Sequence, residues 1–92
     1  MADDLFAGIA LNRFETVRFC EGPDGRFRLM WQINIPTALF AGHWFDYGLT
    51  VLRMADDEQQ GYTFIAPRQL IKVQFYDSAL EAMHAAIEAL PK

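Results

Sequence analysis

The 92-residue chain has one cysteine and two histidines, and it clusters neither. Cys20 alone closes no disulfide within the chain; its isolation fits a reducing compartment, where a thiol in a strand-like segment reads as a small apolar residue. His43 and His84 stand outside any H-E-x-x-H arrangement and beside no cysteine pair, so a metal site would have to be assembled from distant residues and none is expected. The chain also lacks G-x-G-x-x-G, G-x-x-x-x-G-K-[ST] and G-x-S-x-G. Their absence removes the familiar dinucleotide, phosphate-loop and nucleophile-elbow readings, and no cofactor is expected.

Positive charge is scarce as well. Eight Lys and Arg face twelve Asp and Glu, for a formal net charge of −4, and no basic block interrupts the chain. Binding nucleic acid through its phosphates needs a clustered basic face, so that partner is not expected. The acids form one short run, Asp56-Asp57-Glu58, too short to imitate a nucleic acid. No apolar stretch reaches the roughly 18 residues that span a bilayer. Met1-Ala2-Asp3-Asp4 puts acids where a secretory signal needs positive charge. The expected location is the cytoplasm, away from membranes.

Apolar residues, by contrast, are plentiful: 52% of the chain is hydrophobic and 14% aromatic. A chain of this length supports one core and buries a limited share of its surface, so a single domain covering residues 1–92 is expected. The surplus apolar surface points to contact with another protein, and a symmetric homodimer is the commonest closed assembly.

Along the chain, Leu5, Phe6 and Ile9 recur at helical spacing behind Asp3 and Asp4, which predicts a short N-terminal helix or arm. Phe14 to Cys20 reads as a strand ending in the turn Glu21-Gly22-Pro23-Asp24-Gly25. From Arg26 to Ile35, Phe27, Leu29, Trp31, Ile33 and Ile35 alternate with Arg26, Arg28, Met30, Gln32 and Asn34, the period of a half-buried strand that Pro36 must stop. A short turn over Thr37–Phe40 and Gly42 leads to a strand from about His43 to Met54. Both of its faces are partly apolar, Phe45, Tyr47, Leu49 and Val51 on one and Trp44, Leu52 and Met54 on the other, so cover on both faces is expected. Tyr62–Ala66 and Leu70–Tyr76 read as two more strands flanking Pro67, with Ala55–Gly61 as a polar loop. The last element is a helix opened by the capping-box pair Ser78 and Glu81 and stopped by Pro91, with Leu80, Met83, Ile87 and Leu90 as its apolar stripe. The fold expected is α+β: an antiparallel sheet of about five strands, the C-terminal helix on one face and the N-terminal segment at an edge. The helix stripe should meet Phe27, Leu29, Trp31 and Ile33. Leu5-Phe6-Ala7-Gly8 recurs as Leu39-Phe40-Ala41-Gly42, each followed at equal distance by Thr-Val, an echo that chance composition explains.

The pattern offers little chemistry. His43 and Asp46 could act as a base and its orienter only if the strand bulged, because residues three apart on a strand point to opposite faces. The unusual stretch is Phe40, Trp44, Phe45 and Tyr47 beside the chain-bending Pro36 and Gly42. Large aromatics supply much interface energy at low entropic cost. The function this supports is a small non-catalytic protein-binding module, an adaptor, inhibitor or regulatory subunit. Phe40, Trp44, Tyr47, Leu52 and Met54 are its candidate partner-binding residues. The competing reading is a small enzyme or ligand-binding domain with a pocket between helix and sheet.

Overall fold

A computed structural model describes residues 8–66 and 74–90 of the chain. Its elements are β1 (Ile9–Ala10), β2 (Glu15–Glu21), β3 (Phe27–Ile33), β4 (Phe45–Ala55), β5 (Gln60–Ile65) and α1 (Ala79–Ala89). The strands form one antiparallel sheet in sequence order, β1-β2-β3-β4-β5, a meander built from short connections. With α1 after the strands, the expected α+β antiparallel sheet is present. Its strands are not all those expected, however. Ile9 lies in β1 rather than in a helix, whereas Leu5 and Phe6 lie outside the described residues. Most of the expected strand over 70–76 also lies outside them; Tyr76, which is described, forms an isolated antiparallel bridge with Tyr62.

The register sets the two faces. Val17 pairs with Trp31, and Phe19 with Leu29. Phe27 pairs with Val51, and Trp31 with Phe45. Side chains alternate along each strand, so Val17, Phe19, Leu29, Leu49 and Val51 share a face. All five are buried, together with Ala82, Met83 and Ala86 of α1. The Thr-Val echo falls in this layer, since Val17 and Val51 are both fully buried. Arg18, Met30 and Asp46 form a row on the other face. Cover there is uneven: Thr63, opposite Leu52, is buried, but Met54 and Ile65 are exposed.

Between the pairs Arg28–Thr50 and Met30–Asp46 the ladder breaks: the single residue Leu29 faces Tyr47, Gly48 and Leu49. Two extra residues therefore sit in β4 as a bulge. Gly48, at φ +91°, supplies the positive φ that the bend requires, and the Asp46 carboxylate accepts the Gly48 N–H at 2.8 Å.

Helix α1 opens as the Ser78–Glu81 pair predicts. The Ser78 hydroxyl accepts the Glu81 N–H at 3.2 Å, but Glu81 reaches back one residue further than in a reciprocal box, accepting the Asp77 N–H at 3.2 Å. The helix rests mainly on β4 and β5. Its buried side chains are Ala82, Met83 and Ala86, with the cap residue Leu90, so the inward stripe is rotated toward the alanines; Leu80 and Ile87 pack at its margin. Phe27, Leu29 and Trp31 of β3 belong to the same apolar cluster as Leu80, Met83 and Ile87, whereas Ile33 is not among its members.

At the other end of β2, the hairpin tip is organised by Asp24. Its carboxylate accepts the Arg26 N–H at 3.1 Å and the Arg28 guanidinium at 3.0 Å. The Arg28 guanidinium, followed by the Arg26 amide, holds the Asp24 pKa below its ordinary 3.8. A lowered folded-state pKa contributes stability above the unfolded pKa and loses it as pH falls through the folded value. The expected result is an Asp24 NMR titration midpoint below 3.8, moving back up in Arg28→Ala. Equal midpoints in the two proteins would show that Arg28 does not hold this carboxylate.

Candidate functional site

The end of the sheet away from that hairpin is assembled from the β1–β2 connection and the segment between β3 and β4. Asn12 starts the first: its side-chain oxygen accepts the Phe14 N–H at 2.8 Å and the Glu15 N–H at 2.9 Å, an Asx-type turn that feeds β2. The Asn34 N–H donates to the Phe14 carbonyl at 2.8 Å, and Thr16 and Asn34 hydrogen-bond through their side chains, which joins the two connections. Beyond Pro36 the backbone turns three times in succession. Ala38 N–H donates to Ile35, Ala41 N–H to Ala38 and His43 N–H to Phe40, at 3.0–3.1 Å. Gly42, at φ +86°, lets the chain leave the last turn toward β4.

Connecting segments are ordinarily polar, and this one is not. Phe14, Ile35, Leu39 and Phe40 are all exposed, Leu39 to 87%, and only Met54 and Ile65 join them as exposed large hydrophobics among the described residues. The turns hold these side chains at one end of the sheet. An aromatic series supports them from the core side: Trp31 and Phe45 rings lie 5.2 Å apart, Phe45 and Phe40 meet edge-on at 6.0 Å, and Phe40 meets His43 edge-on at 6.1 Å.

The five residues singled out from sequence do not form one surface. Phe40 is exposed at this end. Trp44 precedes β4 and is half-buried on the outward face, with the Arg18 guanidinium 5.0 Å from its ring centroid. Tyr47 turns the other way, packing against the core cluster. Burial, followed by the Glu15 carboxylate, raises its phenol pKa. Leu52 is half-buried and Met54 exposed, and both stand toward the far end of β4. Strand rise puts Met54 on the order of 25 Å from Trp44, too far to share one hot spot. Phe14, Ile35 and Leu39 are exposed at this end and were not among the residues singled out from sequence. Only Leu39 had a signal there, the apolar run Ala38-Leu39-Phe40-Ala41 in a segment marked as a turn by Pro36 and Gly42.

His43 and Asp46 are each engaged elsewhere, the ring against Phe40 and the carboxylate on the Gly48 amide. Among the described residues no group of three or more His, Cys, Asp or Glu is placed to hold a metal ion, and no helix is long and apolar enough to cross a membrane. No protein-family model, curated protein or solved structure matches the chain.

Proposed function

We propose that this chain is a small non-catalytic protein-binding module, an adaptor, inhibitor or regulatory subunit, that docks through the aromatic-rich turn between β3 and β4. The observation that supports this reading is the grouping of Phe14, Ile35, Leu39 and Phe40 as exposed side chains at one end of the sheet. Full burial of such a side chain is worth about 1.5–3 kcal/mol, of which Leu39 forgoes most and the other three a part, and exposed apolar side chains gathered at one end are a usual mark of an interaction surface. Phe40 keeps its place in the binding set proposed from sequence, with Trp44 flanking it on the outward face. Leu52 and Met54 would belong to a second contact at the far end of β4, and Tyr47 would support the surface from within.

A photo-reactive amino acid at position 39, introduced in the cell that makes the protein, should give discrete protein adducts on illumination. The same group at Asp57, in the acidic loop between β4 and β5, should give few or none. Equal labelling at the two positions, or none at position 39, would count against a docking surface at this turn.

A further inference from the structure

We infer that Asp24-Gly25, at the tip of the β2–β3 hairpin, is the site where this chain isomerises to isoaspartate, and that Arg28 restrains the reaction while the hairpin is folded. The inference is independent of the docking surface, which lies at the other end of the sheet. Of all the Asp and Asn residues in the chain, Asp24 alone precedes a glycine. The reaction is an attack by the following backbone nitrogen, and glycine sets no side chain beside it. The Gly25 nitrogen bonds to Cγ of Asp24, and one carboxyl oxygen leaves as water with the acid proton and the Gly25 amide hydrogen. Water then reopens the succinimide ring. Where the bond broken runs from the Asp24 main-chain carbonyl carbon to nitrogen, the backbone continues through Cβ and Cγ and is one carbon longer.

The folded turn opposes each requirement of this chemistry. The carboxyl has to be protonated to lose water, and it has to turn onto the Gly25 nitrogen. Instead, Oδ2 accepts the Arg28 guanidinium at 3.0 Å and Oδ1 accepts the Arg26 N–H at 3.1 Å, so closing the ring draws the group away from Arg28. The same guanidinium favours the ionised, unreactive carboxylate. The attacking nitrogen is engaged as well, its N–H donating to the Gly22 carbonyl at 3.1 Å. Gly22 leaves the room that this pair occupies: a Cβ there would stand 2.6 Å from Nη1 of Arg28 and 2.9 Å from Oδ1 of Asp24. Gly22 lies outside the left-handed region, so alanine suits its backbone and the crowding falls on the ion pair.

Ageing the full chain at physiological temperature and neutral pH, with peptide mapping to quantify isoaspartate at position 24, tests this. Arg28→Ala and Gly22→Ala should each accumulate it about two- to fivefold faster than the wild type, the range that loss of one exposed ion pair supports. High salt screens the pair, so it should speed the wild type and leave Arg28→Ala unchanged. The chain unfolded in guanidinium chloride should react faster than any folded form. Far-UV circular dichroism checks that both variants are folded; if either is not, the salt comparison decides. Equal rates in folded wild type and Arg28→Ala, or a wild type indifferent to salt, overturn the restraint by Arg28. Isoaspartate that collects first at another Asp or Asn of the unfolded chain overturns the choice of site.

Discussion

Replacing Met83 by alanine is expected to cost about 2–5 kcal/mol, while Ile87→Ala costs clearly less. Met83 is fully buried between Ala82 and Ala86, on the side of α1 that faces β4 and β5; Ile87 lies at the margin and is only half-buried. The penalty for truncation combines lost transfer free energy with the cavity left behind, and a half-exposed side chain leaves little cavity. Two small alanines let the helix backbone come close to the sheet, so the site around Met83 has little room to collapse. Urea unfolding of both variants gives the comparison. If Ile87→Ala were the more damaging change, the helix would be rotated from the position described, with the stripe Leu80, Met83 and Ile87 facing inward as its spacing alone suggests.

Gly61→Ala is the second large effect, expected to cost about 1–3 kcal/mol through overpacking. A Cβ on Gly61 would stand 2.6 Å from the Tyr76 carbonyl oxygen and 3.4 Å from the Phe75 Cβ. The first of these is backbone, and it is fixed by two hydrogen bonds, Tyr62 N–H to Tyr76 at 2.8 Å and Tyr76 N–H to Tyr62 at 2.7 Å. Relief of the clash therefore means separating this bridge, which joins β5 to the chain leading into α1, along with the stacked pair Phe64 and Tyr76. In a domain of this size each kcal/mol corresponds to about 4–8 °C of melting temperature, so calorimetry reads the change directly. A Gly61→Ala protein that melts with the wild type would show that Tyr76 is not held against β5.

The parts of this fold that sequence exposes are those where one periodic signal stands alone. Phe27, Leu29, Trp31 and Ile33 alternate with more polar neighbours, and the strand they predict is present as β3. Ser78 and Glu81 mark the helix start for a local reason, because the amides they satisfy lie within one turn. Harder to read were places where two signals coincide or small residues carry the contact. Ala82 and Ala86 weigh little in an apolar stripe, yet they set the rotation of α1. In β4 both alternating sets are apolar, so nothing in the pattern betrays a register shift. Gly61 looks like the end of a loop but sits inside β5, because its lack of a side chain serves a close backbone approach rather than a turn.

The candidate surface was legible only in part, for a related reason. Sequence shows that Phe40 and Trp44 are large and near chain-bending residues, but hydrophobicity at a turn looks the same whether the side chain points into a core or into water. The hydrogen bonds among Ile35, Ala38, Phe40, Ala41 and His43 decide it by curling the segment outward. Exposure then falls on Ile35 and Leu39 as well as Phe40, and Tyr47 is taken up by the core.

The bulge at Tyr47–Leu49 bears on how the chain tolerates changes of length. Because it holds two surplus residues, Phe45 on one side of it and Val51 on the other still face the same layer. Loss of one residue there would leave two residues of β4 opposite Leu29, an ordinary bulge across which Phe45 still pairs with Trp31 and Val51 with Phe27. The side chains on either side keep their faces because β3 sets them. Small changes of length at this point are thus absorbed inside the sheet, and the aromatic series at its end keeps its place.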